Sequence, residues 1–276
     1  MPRPLYVRLL RLAALGLIAL WSGGPILVLG LASLKLSRDI FVWPPELLSQ
    51  PTLSNYVRLW QRWPGFFDAL ANSAAVTAGA TLLTVVVATS AGYAYSRYRS
   101  RLLTLSAFFM VLVRMLPPIV ITVPLFPAVN WLGLNDTWTV LILVYATFFI
   151  SLGTWIMKTT IDQIPTELDE AARVDGASLL QIMGRIILPL GVQGVVAASV
   201  FVVVYAWNEF LFAFLFTTKS AKTAPLAISE MISSVETGDW GVLFAASTVQ
   251  LLPVLICVFL AQKHLISGLT AGAIKG

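Results

Sequence analysis

The sequence predicts an all-α polytopic membrane protein with six transmembrane helices. Three observations carry this. Apolar residues make up 58% of the 276 and charged residues only 11%, against roughly 45–50% apolar in an average soluble domain. The apolar residues fall in runs long enough to cross lipid, which takes about 20 residues. No alternating ten-residue pattern of a transmembrane barrel appears. Backbone groups inside lipid must be satisfied within the segment, so the runs read as helices.

The runs cover residues 12–34, 73–95, 102–129, 137–157, 187–216 and 242–261. The first follows Arg3, Arg8 and Arg11. It is longer than the apolar region of a signal peptide, about 7–15 residues, and predicts an uncleaved signal anchor. The third contains Pro117, Pro118, Pro124 and Pro127. Each proline removes a donor and clashes with the preceding turn. Two outcomes stay open for this run: a kinked helix, or a helix bent around a translocation pathway. The division expected is residues 1–68, an N-terminal span with an extracytoplasmic segment, and residues 69–276, a core that carries a cytoplasmic segment at 159–189.

Basic residues give the orientation. Arg3, Arg8 and Arg11 share one side with Arg97, Arg99 and Arg101, with Lys158, Arg173 and Arg185, and with Lys263 and Lys275. The short turn YSRYRSR contrasts with NWLGLND, which has no base. By the positive-inside rule both termini are expected in the cytoplasm, with residues 35–72 and 217–241 outside. The net charge of +5 therefore sets topology rather than suggesting nucleic acid. Cys257, the single cysteine, excludes an intrachain disulfide and a cysteine metal cluster. His264 is the only histidine. No metal-ligand spacing or nucleophile motif is present, so this chain is not expected to be an enzyme.

One polar stretch interrupts the apolar runs. Residues 170–189 read EAARVDGASLLQIMGRIILP. Upstream, Thr166 is placed as an N-cap, with Asp169 at the reciprocal position of a capping box. Glu167, Asp169 and Glu170 then lie near the positive end of the helix dipole. Leu168, Ala171 and Ala172 share a small apolar face that another surface can approach closely. Gly176 is expected to end the helix at positive φ. Ser178 and Gln181 form a second cap, and Leu179, Ile182, Met183 and Ile186 continue as an apolar stripe towards Pro189. Helices this short are marginal in water and need a surface to pack on. That surface is either the chain's own bundle or lipid, or a partner protein.

Glu170-Ala171-Ala172, Asp175-Gly176-Ala177, Ile186 and Leu188-Pro189 resemble the EAA signature of permease subunits of ABC importers. Asn72-Ser73, Ala94-Tyr95-Ser96-Arg97, residues 132–137 (LGLNDT) and Trp207-Asn208-Glu209-Phe210 agree with it. The tail GLTAGAIKG at 268–276 resembles that of the second permease of maltose-type sugar importers. The resemblance implies a type I importer fold in a bacterial inner membrane. It implies a second permease subunit, two cytoplasmic ATPase subunits that carry ATP and Mg, and an extracytoplasmic solute-binding protein. No cofactor on this chain is implied. The solute would be a sugar or related polyol. Glu170, Ala171, Ala172, Asp175, Gly176, Ala177, Ile186, Leu188 and Pro189 would couple the bundle to one ATPase. Glu170 would be the charged contact, Ala171 and Ala172 the packing face, and Gly176 the corner.

The tail echoes a phosphate-binding loop, but Gly268, Gly272 and Lys275 have the wrong spacing and no strand precedes them. Its alternatives are a frayed terminus and a further ATPase contact. Arg114 lies inside the third run, where an arginine costs about 2.5–3.5 kcal/mol to insert. It should therefore meet a cavity or a partner, and Glu209 is the expected partner. Arg114, Asn130, Asn208 and Glu209 are candidates for a polar solute path, and they equally suit a structural role. Trp131, Trp138, Tyr205, Trp207 and Phe210 could stack on sugars or belong to the interfacial belt. The alternative function is an ion-coupled transporter or channel acting without an ATPase. That would need paired ionisable residues at the bundle centre or an inverted repeat.

Overall fold

Several helix ends in this chain fall at a proline or a glycine, Pro64, Pro118 and Gly176 among them. In a computed structural model, which describes residues 5–44, 50–234 and 239–271, every regular element among the described residues is helical. Four helices are long and apolar enough to cross a membrane: α1 (Leu5–Ser33), α3 (Pro64–Arg97), α6 (Trp138–Ile161) and α13 (Trp240–Ala271). Two bent helix pairs are further candidates. α4 (Arg101–Met115) meets α5 (Pro118–Trp131) at 100°. The stretch Leu179–Leu190 meets α10 (Val192–Trp207) at 81°. Counting each pair as one span gives up to six crossings.

The third run is thus broken rather than kinked. Leu116 and Pro117 are both extended, with ψ of 134°, because a residue before proline is pushed out of the helical region. Pro118 then opens α5 at the position where a missing N–H costs nothing. Pro124 and Pro127 lie inside α5 without breaking it. Other boundaries also shift. α3 begins at Pro64, well before Asn72-Ser73. The fifth run stops at Trp207, and Leu211–Phe216 forms a separate helix, α11. Asn208, Glu209 and Phe210 therefore lie in a break rather than inside a helix. The expected loop at 217–241 carries α12 (Ala224–Ser234). α13 continues to Ala271. Residues 272–276 of the tail, with Lys275, lie outside the described residues, as does the side chain of His264.

The chain forms two compact units. One combines Met1–Asp68 with Ala227–Leu252, and the other Ala69–Leu226 with Pro253–Gly276. In the first, α2 (Ser54–Arg62) closes the end of α1. Asn55 donates to Ser33 O at 2.7 Å and to Lys35 O at 2.6 Å. Ser33 is the last residue of α1, where carbonyls lack a partner within the helix. Arg58 and Arg62 clasp Asp239 at 2.9 and 2.6 Å.

In the second unit one core joins α3, α5, α6, α10 and α11 through Val76, Val129, Leu141, Tyr145, Val202 and Phe212. A second core gathers Ala88, Tyr93, Met157, Ile161, Ile164, Ile182 and Ile187. Small residues bring α3 and α6 together. A Cβ on Gly92 would lie 2.9 Å from the backbone nitrogen of Lys158, so this contact requires glycine.

A polar knot closes the other end of this unit. Asn72 donates to Ser220 O and Lys222 O, each at 2.9 Å, and accepts from the Trp138 indole at 2.9 Å. Trp138 is therefore tied into the fold. Asp136, at φ 57°, accepts from the backbone N–H groups of Thr218, Lys219, Ser220 and Ala221. Partial burial pushes its pKa up, but these four N–H groups outweigh that and hold the carboxyl well below its ordinary range. The stabilisation from Asp136 is thus fully present above the ordinary carboxylate range. It is lost as pH falls from that range through the depressed folded value. An asparagine in its place would tolerate the positive φ but turns one acceptor into a donor. Asp136→Asn is expected to cost about 1.5 kcal/mol at neutral pH, the low end for a charged acceptor because the site is partly exposed. In thermal unfolding of the purified protein, the gap between wild type and variant should narrow on acidification.

Candidate coupling site

A nine-residue helix cannot hold itself in water, so its anchors decide what it can do. α7 (Thr166–Val174) is such a helix. Arg97, the last residue of α3, donates Nε to Asp169 Oδ2 at 2.8 Å and Nη2 to Ile164 O at 2.9 Å. The two paired side chains are only 7% and 5% exposed. One turn further on, Arg173 donates to the hydroxyls of Tyr98 and Tyr93 at 3.1 and 3.3 Å. At the end of α6, Lys158 bonds Asp162 at 2.6 Å. Partial burial raises the Asp162 pKa, but Lys158, Ser96 and Arg97 hold it below the ordinary range.

This corrects the expected N-terminal cap. Pro165 occupies the cap position, with φ −55° and ψ 134°, and no side chain caps the helix. Thr166 is already helical. Asp169 turns inward because a buried, hydrogen-bonded guanidinium offers a stronger partner than a backbone N–H. The expected apolar face divides as well. Ala172 packs on the core around Tyr93, Ile161 and Ile182, while Leu168 and Ala171 remain exposed.

The corner follows its chemistry closely. Gly176 has φ 79°. Its N–H bonds to Arg173 O at 3.0 Å, and Ala177 N–H bonds to Ala172 O at 2.9 Å. This is the paired pattern of a Schellman motif. Ser178 and Gln181 form a reciprocal capping box at the start of α8 (Leu179–Ile182). A π-helical turn, Met183–Ile187, follows, with Leu188 N–H bonded to Met183 O. The wider turn accommodates Pro189 in α9 (Leu188–Leu190), whose ring would clash with a carbonyl four residues back.

What remains outward is a compact surface. Glu170, Ala171 and Asp175 are exposed. Val174 is 87% exposed and Leu180 83%. Ala172, Asp175, Gly176, Ala177, Gln181, Ile182, Arg185 and Ile186 line a concavity of about 420 Å³ in the crook of the corner. Ile186 is half-buried there, whereas Leu188 and Pro189 are exposed. Sequence reading missed Val174 and Leu180. Val174 stands four residues from Glu170 and three from Ala171, so helical spacing alone could have found it.

The four solute-path candidates are not brought together. Arg114 opens onto a cavity of about 370 Å³ in the crook of α4 and α5, lined also by Phe109, Val113, Thr147, Phe148 and Phe212. Glu209 instead accepts from the N–H groups of Phe212 and Ala213 at 2.9 and 3.3 Å, capping α11. It makes no ion pair with Arg114 among the described residues. Asn208 bonds back to Val204 O, and Asn130 accepts from Asn135. Among the aromatics, Trp207 is buried, while Trp131 and Tyr205 are exposed.

Residues 80–270 match the family of binding-protein-dependent transport system inner membrane components. The chain belongs to this family. This permease is 37% identical to the trehalose/maltose transport system permease protein MalG of Thermococcus litoralis, over 86% of each chain. It is 36% identical to the trehalose transport system permease protein SugB of Mycobacterium tuberculosis, covering 90% of this chain and 92% of that one. It also shares the fold of a chain from a bacterial ABC transporter involved in import of the acidic polysaccharide alginate. There the TM-score is 0.76 at 20% identity, with 94% and 96% of the two chains covered. The permease is a multi-pass membrane protein.

Removing one partner of a buried ion pair costs about 3–5 kcal/mol. Arg97→Ala is therefore expected to speed hydrogen exchange of the α7 amides by a factor of the order of a hundred or more, as such a loss implies. Exchange in the core of α6 should stay unchanged, as mass spectrometry of the purified protein can check.

Proposed function

We propose that this permease moves a sugar or related polyol inward by alternating access, driven by ATP hydrolysis on separate subunits. The observation that carries the proposal is the division of labour on α7. Asp169, Ala172 and Arg173 fasten the helix to its own bundle, while Glu170, Ala171 and Val174 face outward and exposed. An exposed apolar side chain beside a carboxylate on a rigidly held short helix is the form of a docking element. Its partner would be an ATPase carrying ATP and Mg.

In this reading the docking surface continues over Asp175, Gly176 and Ala177 to Leu180. Ile186, Leu188 and Pro189 carry motion back into α10. Closure of the ATPase pair on ATP shifts the population of the bundle towards an outward-open state. A solute-binding protein would then deliver cargo, and hydrolysis would return the bundle. The second permease subunit would complete the pathway, with the docking segment and both termini in the cytoplasm. Relatives named for trehalose and maltose transport support the carbohydrate class. Arg114 would line the path through the cavity it opens on, with Asn130, Asn208 and Glu209 shaping its walls indirectly through the breaks they stabilise.

Two experiments test this. In vesicles holding the assembled importer, Glu170→Lys and Gly176→Pro should lower ATP-driven uptake by about tenfold or more, the loss expected from an interface anchor. The bundle should still fold and assemble. Uptake that persists when the ATPase is omitted would overturn the coupling role. At matched expression, Arg114→Leu should lower uptake severalfold, and unchanged uptake would remove Arg114 from the path.

A further inference from the structure

α2 leaves an apolar stripe exposed. Its inward side holds Asn55 and Leu59, both fully buried, and its two arginines, Arg58 half-buried and Arg62 exposed, both pair with Asp239. Gly241 comes so close that a Cβ there would clash with the Asn55 side chain. Its other side carries Leu53, Val57 and Trp60, which are 68%, 53% and 65% exposed. Their spacing of four and three residues puts them on one stripe.

The stripe leads straight into a membrane-crossing helix. Only Trp63 separates α2 from α3. The Trp60 ring packs on Phe67 in the first turns of α3 at 4.8 Å. Phe41 and Trp43 add exposed aromatic surface in the same compact unit. α1, which that unit also holds, turns apolar side chains outward along nearly its whole length. A helix whose two arginines are both neutralised by one carboxylate and whose Leu, Val and Trp stay exposed on one stripe suits a boundary between water and an apolar surrounding. Indole and phenyl rings that continue from a membrane span mark the lipid–water boundary.

We propose that α2 is an interfacial helix, seated with Leu53, Val57 and Trp60 in the lipid at the boundary where α3 enters the membrane. Its role is to fix the depth of α3. The Asp239 clasp sets the roll of α2, so the apolar stripe meets lipid instead of water.

Cys257 is the only cysteine, which makes the test direct. On a Cys257→Ala background, nitroxides are placed by Val57→Cys, Trp60→Cys and Arg38→Cys, Arg38 being solvent-facing. The assembled importer, without solute-binding protein, is reconstituted in vesicles of phosphatidylethanolamine and phosphatidylglycerol. Collision with oxygen and with a water-soluble nickel chelate is measured by electron paramagnetic resonance. The proposal expects the oxygen-to-nickel ratio at 57 and 60 to exceed that at 38 severalfold. Ratios at 57 and 60 equal to that at 38 would overturn it. So would shielding from both reagents, which would mean a protein neighbour, or water-like ratios that fall silent when the solute-binding protein is added, which would make α2 a protein-docking face.

Discussion

The arrangement of the coupling segment depends on one buried charge pair. Arg97 closes a long membrane helix and Asp169 lies in a nine-residue helix that could not persist alone. Burying both charges is costly unless the geometry is good and the remaining donors find acceptors. On the arginine they do: Nη2 of Arg97 reaches Ile164 O and Nη1 reaches Ser96, while Asp169 Oδ1 is buried without a hydrogen-bond partner among the described residues. With Asp169 spent on this contact, its neighbour Glu170 is turned outward and Ala172 is turned onto the core. The exposed surface of α7 is therefore a consequence of the buried one. Gly176 and the Ser178–Gln181 box then fix where the chain goes next.

The other end of the core unit uses a different solution to the same problem. Loops between membrane helices carry backbone groups that need partners, and Asp136 satisfies four consecutive N–H groups at once. Asn72 does the same for two carbonyls. Glu209 takes the place of a cap in the break between α10 and α11. Polar side chains that look out of place in an apolar chain are, in these cases, stand-ins for missing backbone partners.

Much of this was legible in the sequence where the cause is local. The apolar runs reported the crossings because lipid imposes their length. Gly176 and the Ser178–Gln181 pair were readable because a corner and a cap depend on a few adjacent residues. The failures are those in which a distant partner won. Thr166 and Asp169 have the spacing of a cap, but Asp169 answers to a residue 72 positions away. Glu209 had an evident partner in Arg114 by composition, yet helix α11 begins just beyond it and claims its oxygens. Pro117-Pro118 breaks the helix while Pro124 and Pro127 do not, because two adjacent prolines push both Leu116 and Pro117 into extended backbone, whereas isolated ones leave room for the turn to adjust.

The two attachments of α7 lie one turn apart on the same side of the helix, at Asp169 and Arg173. Apolar packing alone resists separation but lets a cylinder spin. Directional hydrogen bonds at two heights act like a key in a shaft and resist torque. A twist applied to the outer side of α7 is therefore delivered to the end of α3 as rotation, not only as a push.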